Sequence, residues 1–239
     1  SSEKYFNIGR IPFSNFVFEE IAREISFFEI SKLGLGYKVV VIDLDGVIWG
    51  GVVGDDGVEG IELNYDFPGN IYIQIQEALK ILTKRGIILA VCSKNNEKIV
   101  NNVFKNHKYM VLKSKDIVNW KVNWKSKVEN IKEIAKKLSI DLSAFCFLDD
   151  SPYERDIVKK QLPQVNVLEW PDDINLIPNM LISHPNLQIS RLTKEDNLRK
   201  DFYKKQISME NYKKNFTSKE DYLKSLNMKL NICKINNKL

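Results

Sequence analysis

The sequence predicts an α/β fold, a Rossmann-like parallel sheet flanked by helices, with a small flap and no large cap domain. Three observations lead there. Short, continuous apolar runs rich in β-branched residues recur at 38–43, 87–92, 144–149 and 165–168, as expected of parallel strands buried on both faces. Segments of helical periodicity separate them, so strand and helix alternate in the manner of right-handed crossovers. Polar residues close three of the runs, at the strand ends where sheets of this class hold their ligands.

Taken in order, residues 1–37 form an aromatic-rich lead-in in which Phe18, Ile21, Ile25 and Phe28 recur at helical spacing before Gly34-Leu35-Gly36. One amphipathic helix packed on the rest of the chain is the simplest reading. Lys38–Asp43 is the first strand. Gly46–Leu63 holds six glycines among alternating apolar residues and suits a tight turn and hairpin-like flap. Asn70–Lys84 has helical periodicity and stops at Gly86. Ile87–Cys92 repeats the strand pattern, Asn95–Phe104 comes next as a helix, and Tyr109–Leu112 reads as a strand. Ser126-Lys127-Val128-Glu129 is a capping-box signature opening a helix to about Leu138. Ala144–Asp149 is another strand, and Ser151-Pro152-Tyr153-Glu154 begins the next helix with a cap residue and a proline at its first position. Val165–Leu168 is the last core strand. Pro178 and Pro185 bound an irregular stretch, Thr193–Asn215 reads as a charged helix, Phe216–Leu226 as a short one, and Met228–Ile232 as an edge strand.

A chain of 239 residues can bury one full core, and it divides into the lead-in (1–37), a catalytic core (38–170) and a helical extension packed on that core (171–239). Hydrophobic content of 44% with 28% charged residues is ordinary for a soluble protein, and no apolar run approaches a membrane span. The net charge of +5 comes from lysines dispersed among acids, without the basic block that tracks a nucleic-acid backbone. A mildly basic face would suit an acidic protein partner. Three cysteines at unrelated spacings make neither a disulfide framework nor a zinc site, which implies a reducing, cytoplasmic setting. The start at Ser1-Ser2-Glu3, without Met or a signal-peptide core, is what a domain of a larger synthase would show.

The chemistry gathers at strand ends: Asp43 and Asp45 after the first, Cys92 and Ser93 after the second, Asp149 and Asp150 after the fourth. Crowded carboxylates repel unless a cation sits among them, and hard oxygen ligands select Mg²⁺. Ser93 can bind phosphate oxygens beside a helix N-terminus, with Lys94 and Asn95 as supporting residues. Lys127 can neutralise charge developing on the phosphate. Together these are a nucleophile, a proton-transfer carboxylate, a metal and cationic and hydroxyl clamps for phosphoryl transfer.

With Asp43-Leu44-Asp45, Ser93, Lys127 and Asp149-Asp150 in this order, the sequence resembles the haloacid dehalogenase superfamily. The resemblance implies Asp43 as nucleophile and metal ligand, Asp45 as acid/base lending its backbone carbonyl to the metal, and Asp149 as a further ligand. A closer similarity is to the FkbH-like branch, which loads a glyceryl unit onto an acyl carrier protein in polyketide assembly. It rests on Asp43-Leu44-Asp45 through Trp49–Gly57, on Cys92-Ser93-Lys94-Asn95-Asn96, on Trp124–Lys127, on Leu148–Arg155 and on the tail from Leu192 to Leu230. Gly46-Val47 departs from that branch, where Asn-Thr is common.

That branch implies a thioester on Cys92, at the mouth of the site. The thiolate would attack the carbonyl of an acyl phosphate such as 1,3-bisphosphoglycerate, or a lactyl-type donor, and pass the acyl group to the carrier's phosphopantetheine arm. A nearby cation and helix N-terminus would lower the thiol's pKa. The alternative is a simple Mg²⁺-dependent phosphatase of small or protein-borne phosphoesters. Cys146 reads as core. His107 and His184 lack metal-ligand spacing, although His184 could reach the site if the irregular stretch folds over it. No phosphate loop ending in Gly-Lys-Ser/Thr is present, and Gly34-x-Gly36 precedes a strand instead of coming after one, against a nucleotide fold.

Overall fold

The computed structural model describes residues 3–9, 13–188, 202, 203, 205, 208, 209, 212, 216 and 218–227. Two compact units divide the chain, Ser1–Lys200 and Asp201–Leu239. The first holds α1 (Glu3–Gly9), α2 (Asn15–Lys32), β1 (Val39–Ile42), α3 (Val53–Asp56), α4 (Gly69–Lys84), β2 (Ile88–Ser93), α5 (Glu97–Asn106), β3 (Ile117–Val122), α6 (Lys127–Leu138), β4 (Phe145–Leu148), α7 (Pro152–Gln161), β5 (Asn166–Val167) and α8 (Ile177–Ser183). The second contains α9 (Lys219–Ser225).

The strands form one parallel sheet in the order β3-β2-β1-β4-β5. Its centre is apolar throughout, with Val39–Ile42 and Phe145–Leu148 fully buried, as strands covered on both faces require. Ile42 pairs with Val91 on one side and Leu148 on the other. The next residues outward, Asp43, Cys92 and Asp149, therefore reach the same carboxyl edge. On one face α4 buries Ile71, Ile75, Ala78, Leu79 and Leu82, and Ile177 and Leu181 of α8 join the same core. Each buried Ile or Leu side chain among them contributes roughly 1.5–3 kcal/mol.

The flap after β1 keeps the expected hairpin character through the antiparallel bridge between Gly50 and Glu62, with α3 as its one helical turn. The expected strand at Tyr109–Leu112 does not form, and β3 lies at Ile117–Val122 instead. The backbone N–H groups of Val111 and Leu112 both donate to Oε1 of the fully buried Gln76, at 2.9 and 3.0 Å. A side chain thus takes the place of a ladder. Ser126 precedes α6 as expected but makes no side-chain capping bond, whereas Ser151 does cap α7 by accepting from the Glu154 N–H at 3.4 Å.

The stretch bounded by Pro178 and Pro185 is not irregular. Pro178 stands in the first turn of α8, where a missing N–H costs nothing, and Pro185 opens a 3₁₀ turn, Pro185–Leu187. Helix α2 forms and meets the 3₁₀ turn Pro185–Leu187, but its predicted apolar face stays open: Phe18, Ile21, Ile25 and Phe28 all remain exposed and no residue of the helix is buried. Within the expected helix at 216–226, α9 spans Lys219–Ser225. The expected strand at 228–232 and most of the expected helix at 193–215 lie outside the described residues. Among the described residues no helix is long and apolar enough to cross a membrane.

Candidate active site

Asp43 comes directly after β1. Its Oδ1 accepts from the Leu44 N–H at 2.8 Å and its Oδ2 from Lys127 Nζ at 2.5 Å. Lys127, the first residue of α6 and only 3% exposed, also donates to Oδ2 of the fully buried Asp149. A lysine this deep survives only with paired charges around it. Burial alone would lower its pKa, but Asp43 and Asp149 more than offset that, and it is held above the usual lysine range. Burial, and then the charge of Asp43, push Asp149 and Asp150 up.

Carboxylate oxygens of Asp43, Asp149 and Asp150 all lie within 4.8 Å of one another. Three hard oxygen donors converging from two adjacent strand ends fit a divalent cation of the Mg²⁺ type. The chain keeps them there in several ways. The Ser151 N–H donates to Asp149 Oδ1 at 2.9 Å, and the Arg155 guanidinium donates to the carbonyls of Asp149 and Asp150 at 2.9 and 2.6 Å. Asp150 leans into space that only glycine leaves open. A Cβ on Gly46, whose φ is +70°, would clash with Asp150 Oδ2.

Asp45, expected at the metal only through its backbone carbonyl, keeps its carboxylate outside this set. Its Oδ1 accepts from Trp49 Nε1 at 2.6 Å and the Val53 N–H at 3.1 Å, and its Oδ2 from Asn95 Nδ2 at 2.8 Å. Burial raises its pKa despite those bonds. Asp150, expected as a supporting residue, supplies the third carboxylate, in space that the missing Cβ at Gly46 leaves open.

Ser93 ends β2 and is 2% exposed. Asn95 lies just before α5, whose cap is Asn96, accepting from the Lys98 N–H at 2.9 Å. Lys94 pairs with Glu154 at 2.6 Å, tying the loop after β2 to α7. Cys92 is not at the mouth. It is fully buried, with Sγ 3.8 Å from the Lys127 carbonyl, to which the thiol donates. Burial pushes the thiol up to about 12, against the partial relief from Lys127, so the expected lowering does not occur. Cys146 is buried in β4 as expected.

The histidines are also placed. His184 stands at the opposite end of the sheet, its ring 5.7 Å from that of Tyr37 just before β1, and its Nδ1 accepts from the Asn186 N–H at 3.2 Å. It cannot serve the carboxyl edge. His107 closes α5 through its N–H to the Val103 carbonyl.

Trp49 and Gly46 are the site residues that spacing does not single out. Trp49 is visible in the sequence as the start of the Trp49–Gly57 stretch, four residues after Asp45, with no role attached to it. The flap is the only element inserted between β1 and α4, and a four-residue loop separates β3 from α6, so among the described residues no cap domain stands over this edge. Val52 and Trp124, on the loops after β1 and β3, and Tyr153, in the first turn of α7, are exposed there.

No family model matches the chain, and no curated protein does. Among solved structures it is similar to the N-terminal part of the protein BF1531 from Bacteroides fragilis, described as containing a phosphatase domain and complexed with Mg. The identity is 35% and the TM-score 0.73, over 80% of this chain and 51% of that one. The chain thus spans about half the length of that relative. A second match is 3-deoxy-D-manno-octulosonate 8-phosphate phosphatase from Moraxella catarrhalis, in complex with magnesium, phosphate and KDO. It is 18% identical with a TM-score of 0.39, over 75% of this chain and 97% of that one.

Proposed function

We propose that this chain, whose fold is of the haloacid dehalogenase type, is a Mg²⁺-dependent phosphatase working through a covalent aspartyl phosphate on Asp43. The observation that carries this is the convergence of Asp43, Asp149 and Asp150 within 4.8 Å, with Lys127 bridging two of them. When bound by these carboxylates, Mg²⁺ supplies charge neutralisation for the incoming phosphate. A carboxylate oxygen of Asp43 attacks phosphorus as the bond to the leaving oxygen breaks, and Asp45 gives that oxygen its proton. Water then attacks phosphorus, Asp45 takes its proton, and the bond to Asp43 breaks to release phosphate. Lys127 and Ser93 hold the phosphate oxygens.

The test is phosphate release from p-nitrophenyl phosphate. It should require Mg²⁺, stop on chelation, and fall by at least about three orders of magnitude in Asp43→Asn, the loss expected when a nucleophile is removed. Release that persists in Asp43→Asn would count against the scheme.

A finer reading keeps the same site and adds acyl transfer. A glyceryl- or lactyl-type unit would move from a phosphorylated three-carbon donor, through a thioester on Cys92, to the phosphopantetheine arm of an acyl carrier protein. Support comes from the edge, which no cap domain covers among the described residues, and from its exposed Val52, Trp124 and Tyr153, surfaces that suit a protein-borne arm. In that step the Cys92 sulfur bonds to the acyl carbon and the acyl C–O bond to phosphate breaks. It needs Cys92 uncovered and deprotonated, and burial opposes both. Mass spectrometry after incubation with 1,3-bisphosphoglycerate decides between the two: an acyl adduct absent from Cys92→Ala favours transfer, and none favours hydrolysis alone.

A further inference from the structure

We propose that Trp49 is a positioning residue for the proton-transfer step, fixing which oxygen of Asp45 is turned to the leaving group. The inference rests on the phosphatase reading and on the role of Asp45 within it.

Two residues from the nucleophile, Asp45 stays outside the metal-binding carboxylates. A carboxylate has two oxygens with about two acceptor sites each. Both sites on Asp45 Oδ1 are taken, by Trp49 Nε1 at 2.6 Å and the Val53 N–H at 3.1 Å. Among the described residues Oδ2 has one protein donor, Asn95 Nδ2 at 2.8 Å. A proton carried by Asp45 therefore belongs on Oδ2, and the remaining site there is the one from which it can be handed over. An indole N–H donates and never accepts, so the Trp49 bond cannot reverse to let the proton sit on Oδ1.

The indole is itself fixed. Trp49 is fully buried, and its ring meets Phe104 of α5 edge-on at 6.2 Å and 73°. Phe104 in turn meets Trp120 of β3 edge-on at 4.9 Å and 82°. Edge-to-face pairs of this kind resist rotation of either ring. The chain of rings joins the flap, α5 and the outer strand, so the donor aimed at Asp45 is set by core packing.

The experiment compares two phosphate monoesters, phenyl phosphate and dinitrophenyl phosphate, in Mg²⁺. Phenoxide needs a proton as it leaves, and dinitrophenoxide does not. In Trp49→Phe, kcat/KM for phenyl phosphate should fall about tenfold to a hundredfold, part of what general acid catalysis supplies, while dinitrophenyl phosphate should change less than about twofold. Asp45→Asn should show the same pattern more strongly. Replacing Trp49 with benzothienylalanine, which keeps the shape and lacks the N–H, gives the same comparison if Trp49→Phe does not fold. Equal losses on both esters, or no loss on either, overturn the positioning role. If Asp45→Asn loses both equally, the acid role fails and the proposal with it. If the wild type hydrolyses neither ester, the phosphatase reading is what fails.

Discussion

Gly46 shows how much of a metal site can hang on one absent atom. At φ +70° any side chain is strained, and the space of a would-be Cβ is taken by Asp150 Oδ2, the far end of a side chain that can turn. Asp150 can swing away, so the fold should survive while the third carboxylate leaves the set. Gly46→Ala should bind Mg²⁺ about tenfold more weakly by calorimetry, the scale of losses around metal sites. Adding Asp150→Asn should weaken it little further, and additive losses would show that the two act separately. Asp43, Lys127 and Asp149 are legible in the sequence because each stands at the end of a recognisable strand or the start of a helix. The place of the Asp150 carboxylate is not, since it depends on a missing Cβ at Gly46. The burial of Cys92 is hidden for a similar reason: strand position puts a residue at the carboxyl edge, but which side of the sheet it faces, and that the first turn of α6 covers it, are matters of packing.

At the scale of elements, Gln76 of α4 ties three segments together. Its Nε2 donates to the Ile48 carbonyl at 2.7 Å, and its Oε1 accepts from Val111 and Leu112. Gln76→Leu keeps the volume and strands three backbone groups, two of them buried, which should cost roughly 3 kcal/mol in urea unfolding; a loss under about 1 kcal/mol would mean that the segments rest on apolar packing alone. The same bonds explain why Tyr109–Leu112 reads as a strand and is not one. Its apolar run is real, but its N–H groups are already taken. The 3₁₀ turn Pro185–Leu187 meets the start of β1 through the Tyr37 N–H to the Asn186 carbonyl at 2.8 Å. His184 caps this turn, and burial lowers its pKa. As pH falls below about 6.5, the unfolded chain takes up the proton first. The stability this group provides is therefore present above that value and lost as pH drops toward the folded pKa. The melting temperature of His184→Gln should fall less between pH 7 and 5 than that of the wild type; parallel curves would contradict this.

Over the whole molecule, alternation of buried strands and amphipathic helices is enough to place β1, β2, β4 and β5, because strands covered on both faces leave an unbroken apolar signature. The lead-in misleads for the converse reason. Phe18, Ile21, Ile25 and Phe28 have the spacing of a buried face, and periodicity reports that a face exists, not that anything covers it. The sheet brings Asp43 and Asp149 to neighbouring strand ends across a chain separation that no local motif spans, and the proposed phosphoryl transfer depends on this gathering. The most direct measurement is a single turnover with a ³²P-labelled phosphate monoester in Mg²⁺, quenched in acid and mapped by peptide. Label should appear on the peptide containing Asp43 and vanish in Asp43→Asn. Turnover that leaves no label on Asp43, or places it on another residue, would contradict an aspartyl-phosphate enzyme.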